Sequence, residues 1–198
     1  MNEPQIRTPP RLYSAIARET KGVSKLFRPR LFLGSFCAKF LPDHAFCLVR
    51  RCFYRMAGCK VDEAVTLLGR LTLVGSGDIA RRLQIGEGSI VAQGVLFGLD
   101  DEIIIGRNVS ISPYVKLYTA THSLGYGSRR MGPGAKSKPI TIEDGAWIGI
   151  DSLILAGVTL GQGCVVSAGS VVTGNVPPNT LVSGNPAVVQ KQLPFGDR

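Results

Sequence analysis

Few residues in this chain can move protons or hold metals. Of its two histidines, His122 stands in Tyr118-Thr119-Ala120-Thr121-His122-Ser123 and His44 in Pro42-Asp43-His44-Ala45. An imidazole with an ordinary pKa near ~6.5 can take up a proton and return it at neutral pH. On residue types alone, a lone histidine in a strand reads first as a structural group. The acids Asp100, Asp101 and Glu102 lie upstream and read by themselves as a solvated charge run. Arg129, Arg130, Lys136 and Lys138 follow His122 and are placed to meet phosphate. Other chemistries find no residues. A zinc site of the three-histidine kind needs one more histidine than the chain has. Ser123 lacks the remote carboxylate pattern of a nucleophile triad, and no βαβ unit follows Gly86-x-Gly88.

What must position these groups is a six-residue period. From Ile142 the steps reach Ile148, Ile154, Leu160, Val166 and Val172, all aliphatic. Four residues after each stop stand the mostly small Ala146, Ser152, Val158, Cys164, Ser170 and Val176. This period fits neither an amphipathic helix nor a half-solvated strand. It fits three short strands per coil of a parallel β-helix, with glycines bending the corners. A less pure block runs through Leu67, Leu73, Ile79, Ile85, Val91 and Phe97. Two extra residues near Ile103 shift the phase, which resumes at Ile105, Ile111 and Leu117. The count predicts about five coils, about 24 Å tall at the ~4.8 Å spacing of stacked strands. Residues 123–138 carry no repeat, and their glycines and prolines predict a long projecting loop directly after His122.

The run Lys138-Pro139-Ile140-Thr141-Ile142-Glu143-Asp144-Gly145-Ala146-Trp147-Ile148-Gly149 carries a resemblance. With Gly157-Val158-Thr159-Leu160-Gly161, Ala168-Gly169-Ser170-Val171-Val172-Thr173, Val176-Pro177-Pro178 and Gly184-Asn185-Pro186-Ala187, it resembles the hexapeptide-repeat acyltransferases. Within them it is most similar to the maltose, galactoside and Nod-factor O-acetyltransferase branch and related polysaccharide-biosynthesis acetyltransferases. The resemblance spans residues 65–191 and implies left-handed coiling, which the sequence alone would not give because parallel crossovers are normally right-handed. It also implies a homotrimer. Thr-x-x-His before a projecting loop matches the family's catalytic histidine, so the resemblance implies that His122 is the general base. Asp100 matches a carboxylate that helps bind the acceptor. Ala92-Gln93-Gly94 stands where the simple-sugar branch has an asparagine, which puts maltose or galactoside in doubt. Gln93 is one residue out of place to supply the amide. The resemblance places acetyl-CoA, as acyl donor, in a groove between subunits near the last coils. The matching residues are Trp147, Gly149, Ile150, Ala168, Thr173, Gly174 and Lys191. Two departures concern the phosphate grip: Gly174 replaces a common lysine and Val188 a frequent arginine.

The chain divides into a basic, partly helical segment (1–60) and the β-helix domain (61–198). Residues 1–60 hold twelve Lys and Arg against three Asp and Glu, and residues 61–198 hold eleven of each, so the whole net charge of +9 sits on the first segment. That asymmetry suggests an anionic partner. No nucleic-acid module is recognisable, and an anionic membrane surface is the partner kept. Residues 1–25 read as a polar, basic start, and Leu26–Leu33 as an aromatic and basic run. A helix is predicted from Pro42-Asp43 to Gly58, with His44 a solvated helix residue and Arg50, Arg51 and Arg55 as a cationic flank. Two roles are open to it: lying on anionic lipid, or capping the open end of the β-helix with its arginines in solvent. Five cysteines without a C-x-x-C pair suggest reduced thiols and a cytoplasmic location, at most peripheral to the inner membrane face, and Cys164 reads as core filler. No signal peptide or spanning segment is visible.

The reading is an all-β, left-handed parallel β-helix that moves an acyl group, foremost acetyl, from CoA to a sugar hydroxyl in polysaccharide or glycolipid biosynthesis. The alternative is a non-catalytic trimeric scaffold that recruits partners through its basic arm. The acceptor sugar, transfer to oxygen or nitrogen, and acyl length are left open, and no metal is expected.

Overall fold

The computed structural model describes residues 29–125 and 130–194. The basic start, Arg28 and Arg129 therefore lie outside the described residues.

Five coils follow one another, each of three short strands. They are β1 (Lys60–Val61), β2 (Thr66–Leu67) and β3 (Thr72–Val74); then β4 (Leu83–Ile85), β5 (Ile90–Val91) and β6 (Leu96–Gly98); then β7 (Ile103–Ile105), β8 (Ser110–Ile111) and β9 (Lys116–Tyr118). After the ribbon β10 (Ala120–Leu124) and β11 (Met131–Ser137) come β12 (Ile140–Ile142), β13 (Trp147–Ile148) and β14 (Leu153–Leu155), and β15 (Thr159–Leu160), β16 (Val165–Val166) and β17 (Val171–Val172). The strands stack in parallel into three faces: β1-β4-β7-β12-β15, then β2-β5-β8-β13-β16, then β3-β6-β9-β14-β17. The second face is extended by β18 (Thr180–Gly184) and β19 (Ala187–Gln192), which turn back antiparallel.

The six-residue period is the geometry of this prism. Ile142, Ile148, Ile154, Leu160, Val166 and Val172 are all buried, one to each face in turn, and so are the corner residues four positions later, from Ala146 to Val176. Large aliphatics fill the prism and small residues line its corners. The glycine that follows a stop has a packing cause: a Cβ on Gly149 would lie 2.5 Å from Ala168 N and 2.8 Å from Val166 O in the next coil. Coils stacked at strand spacing leave no room for it.

The first block departs from the predicted phase. Val61 is the first stop, and Ile79 is buried but belongs to no strand. It precedes a 3-10 turn at Ala80–Arg82. Twelve residues, not six, separate Leu73 on the third face from Ile85 on the first. An apolar side chain can fill a bulged corner as well as a strand, so the stop count could not tell them apart.

Among the described residues, two helices cover the open end. The first, α1 (Pro29–Lys39), begins on a proline, whose missing N–H costs nothing at a first helical position. The second, α2 (Cys47–Met56), is shorter than the predicted Pro42–Gly58 helix. His44 and Phe46 take left-handed φ of 62° and 54°, and His44 N donates to Leu68 O at 2.6 Å. The chain is thus pinned to the first coil before a helix can form, and His44 is a turn residue. Of the predicted cationic flank, Arg55 is exposed, whereas Arg50 and Arg51 turn toward the end coil. Arg50 is fully buried, its guanidinium donating to Leu67 O (2.7 Å), Pro42 O (2.8 Å) and Leu41 O (3.3 Å). Arg51 donates to Val65 O, and Tyr54 both accepts from Leu71 N and donates to Leu71 O. Arg55 pairs with Glu63 at 3.1 Å. Arg50, Arg51 and Tyr54 thus satisfy backbone carbonyls that the end coil would otherwise leave without a strand partner.

Candidate active site

Three corners join the faces, and only one of them varies in length. The third corner, from the third face to the first face of the next coil, holds the 3-10 turn, the Asp100–Glu102 turn and the excursion after β9. The predicted irregular loop is an ordered ribbon where described: β10 pairs antiparallel with β11, His122 opposite Ala135 and Ala120 opposite Ser137. Side chains alternate along a strand, so Ala120 and Ser137 share the side of the ribbon that carries His122. These small neighbours leave the imidazole open, and His122 is exposed.

Thr119 fixes the base of this ribbon. It is fully buried, donates from Oγ1 to Gly98 O (2.6 Å) and accepts from Asp101 N (2.9 Å). Its backbone N donates to Gly98 O and its carbonyl accepts from Lys138 N. One residue therefore ties together the Asp101 turn, the strand leading to His122 and the strand returning from it. Below, Arg82 Nη1 donates to the carbonyls of Ser76, Leu99 and Asp100 at 2.8–2.9 Å. The carboxylate of Asp100 accepts from Ser76 N (3.1 Å) and Ser76 Oγ (2.8 Å). Asp100 thus shares a corner with His122, with one carboxylate oxygen holding the neighbouring turn. Sequence reasoning missed Thr119, Ser76 and Arg82 as the scaffold of this corner. Only contact across coils reveals them.

The remaining candidates fall elsewhere on the prism. Gln93, Gly149, Ile150 and Ala168 lie at the second corner, between second and third faces. The Gln93 side-chain oxygen is buried without a hydrogen-bond partner. Ile150 lines a cleft of about 520 Å³ with Thr72, Leu96, Tyr114 and Lys116. Trp147 is exposed on the second face, its Nε1 donating to Ser112 Oγ at 3.4 Å. It continues in register through Val165 and Leu181 to Lys191. Thr173 and Gly174 return to the third corner in the last coil, exposed. A Cβ on Gly169 or Gly174 would meet nothing within 4 Å, so these last corners leave their backbone accessible to a ligand. Within one chain, then, His122, Asp100, Thr173 and Gly174 share one corner, while Gly149, Ile150, Ala168 and Gln93 share the next.

The first corner is chemically quiet. Arg107 donates to Asp144 from its backbone N (2.8 Å), Nε (3.0 Å) and Nη2 (2.8 Å). The backbone and guanidinium hydrogen bonds hold the Asp144 carboxyl below its usual range. Cys164 is buried in the prism, and burial pushes its thiol up to about 12. No group of three His, Cys, Asp or Glu side chains able to hold a metal occurs among the described residues.

Stacked parallel coils with a six-residue period, closed by a helical cap and broken by one ribbon, define a hexapeptide-repeat β-helix. A family model described as the hexapeptide repeat of succinyl-transferase matches residues 139–174. Galactoside O-acetyltransferase of Escherichia coli is 38% identical over 99 residues, which make up 50% of this chain and 48% of that protein. The chain spans about half the length of the curated relatives it matches. A hexapeptide-repeat containing acetyltransferase of Vibrio cholerae is 32% identical with a TM-score of 0.72, over 85% of this chain and 91% of that one. Its complex with acetyl coenzyme A matches at the same identity and TM-score, covering 87% of that chain. A maltose O-acetyltransferase from Clostridium difficile is 26% identical with a TM-score of 0.72, over 90% and 91% of the two chains. This chain belongs to the hexapeptide-repeat acetyltransferase family, and its fold is the left-handed parallel β-helix of that family.

Proposed function

We infer that this protein transfers an acetyl group from acetyl-CoA to a sugar hydroxyl, with His122 as general base. The observation that carries the reading is the third corner, where an exposed imidazole stands on a ribbon whose base is locked by the buried Thr119. The similarity to an acetyl-CoA-bound acetyltransferase supports the donor, and similarity to galactoside and maltose O-acetyltransferases supports a saccharide acceptor.

His122 takes the proton of the acceptor hydroxyl as its oxygen attacks the thioester carbonyl. The tetrahedral intermediate collapses, the C–S bond breaks, and the imidazolium returns the proton to the departing CoA thiolate. No covalent enzyme intermediate is needed. Gly149, Ile150 and Ala168 stand a full face away from His122 on the same chain. A homotrimer that sets one subunit's second corner beside another's third corner would complete the site. The half-exposed apolar Leu96, Leu153, Leu155 and Val171 on the third face suit burial between subunits. Within that groove Trp147, Gly149, Ile150, Ala168, Thr173, Gly174 and Lys191 would line the donor, and Asp100 and Gln93 the acceptor.

The test is acetyl-CoA turnover with a panel of saccharides, read as thiol release and as added acetyl mass on the sugar. Sugar-dependent release with an acetylated product supports the reading. Acetyl-CoA that neither binds nor turns over with any sugar would leave the scaffold reading in its place.

A further inference from the structure

We propose that the helical cap docks the protein on an anionic lipid surface through the outward face of α1 and α2. Most surface helices bury an apolar stripe and expose a polar one. On this cap the described side chains expose apolar groups, and α2 also buries Arg50. Among the described side chains of α1 the inward residues are the small Gly34 and Ala38, and a Cβ on Gly34 would lie 2.8 Å from Phe53 O of α2. Its outward residues are Leu33 and Phe36, followed by Phe40 just beyond the helix, and these are 49–69% exposed. On α2 the inward residues Arg50, Arg51 and Tyr54 are hydrogen-bonded to the end coil. Its outward residues include Leu48, Val49 and Met56, at 41–66% exposure, with Phe46 exposed just before them. Seven large apolar side chains therefore face away from the protein on one cap, whereas Arg50 and Arg51 of α2 are spent inside.

Charge selects the occupant. Residues 1–28 contribute Arg7, Arg11, Arg18, Lys21, Lys25 and Arg28 against Glu3 and Glu19, and α1 adds Arg30 and Lys39. The β-helix domain contributes no net charge. An apolar face joined to a basic segment is complementary to lipid headgroups of negative charge, where the apolar side chains enter the acyl boundary and the cations meet phosphate. At 11 and 10 residues the helices are too short to cross a bilayer, and no helix among the described residues is long and apolar enough to do so. The cap would lie on the surface, with the prism axis running away from it.

The experiment is sedimentation of the full chain with phosphatidylcholine vesicles, with and without phosphatidylglycerol. It compares wild type with a Leu33→Gln, Leu48→Gln, Met56→Gln variant, whose exposed helical sites accept glutamine at little cost in stability. Unchanged circular dichroism and unchanged mass by light scattering confirm that the variant keeps its fold and assembly. The proposal expects wild type to partition onto phosphatidylglycerol vesicles, less so onto neutral ones, and to lose binding as salt shortens the screening length. The variant should partition about tenfold less or weaker still. Equal partitioning of variant and wild type overturns it, as does wild type that ignores both vesicles. A variant of smaller mass than wild type, with no lipid binding by either, overturns it in favour of a second copy covering this face.

Discussion

At the first corner of the prism the inward stops are six residues apart in every coil, from Val61 and Leu67 to Val176 and Val182. At the third corner the same interval is twelve residues between Leu73 and Ile85, eight between Phe97 and Ile105, twenty-five between Leu117 and Ile142, and six only between Ile154 and Leu160. Both corners turn the same chain by the same angle, yet the first is closed by an ion pair and stacked backbone, and the third collects every insertion. A coil needs six residues per side to keep its neighbours in register. Extra chain can leave at one corner without disturbing the stack if it always leaves there. In this molecule that corner also carries His122, Asp100 and the network of Thr119 and Arg82.

Substitutions can break or sharpen this contrast. The largest loss of stability is expected where a regular corner is forced to carry a side chain: Gly149→Ala drives a Cβ into backbone at 2.5 Å and should cost about 3 kcal/mol in denaturant unfolding. Gly174→Ala meets nothing within 4 Å and should leave stability within about 0.5 kcal/mol, while weakening acetyl-CoA if the donor lies at that corner. Thr119→Val keeps the shape but leaves Asp101 N without its acceptor in a part-buried turn. It should cost about 1 kcal/mol and lower turnover, with Thr119→Ser restoring much of both.

The smallest effect belongs to the quiet corner. Hydrogen bonds from Arg107 lower the pKa of Asp144 in the folded state. The pair therefore contributes stability that is present above the unfolded pKa, near ~3.9, and is lost as pH falls through the lower folded value. Asp144→Asn should lower the melting temperature slightly at neutral pH, show no deficit at strongly acid pH, and leave turnover unchanged. A large loss of turnover would erase the distinction between the corners.

The regular half of this molecule was legible from residues alone, because a six-residue step from Ile142 to Val172 has one geometric solution. The count of five coils agrees only because Ile79, which is no strand stop, stands in for the unrecognised Val61. Where chain had been inserted, the period misled: Ile79 satisfied the step and filled a corner. His44 and Phe46 stop the helix predicted from Pro42 and Asp43, for a reason that lies in a hydrogen bond to Leu68, a partner supplied by the first coil. The burial of Arg50 was hidden likewise, since nothing in a charged residue says that a coil end will offer it carbonyls. His122 could be singled out early, but the residues that hold its ribbon could not, because Thr119 and Arg82 act through contacts 17 to 21 residues away in sequence.

The most direct test of the third corner is His122→Ala, assayed for acetyl transfer and, in parallel, for acetyl-CoA binding by calorimetry. The account predicts that turnover falls by about 10²–10⁴-fold while the Kd for acetyl-CoA is retained, because the donor candidates lie on other coils. Turnover within a few-fold of wild type, with binding intact, would contradict it and move the chemistry away from this corner.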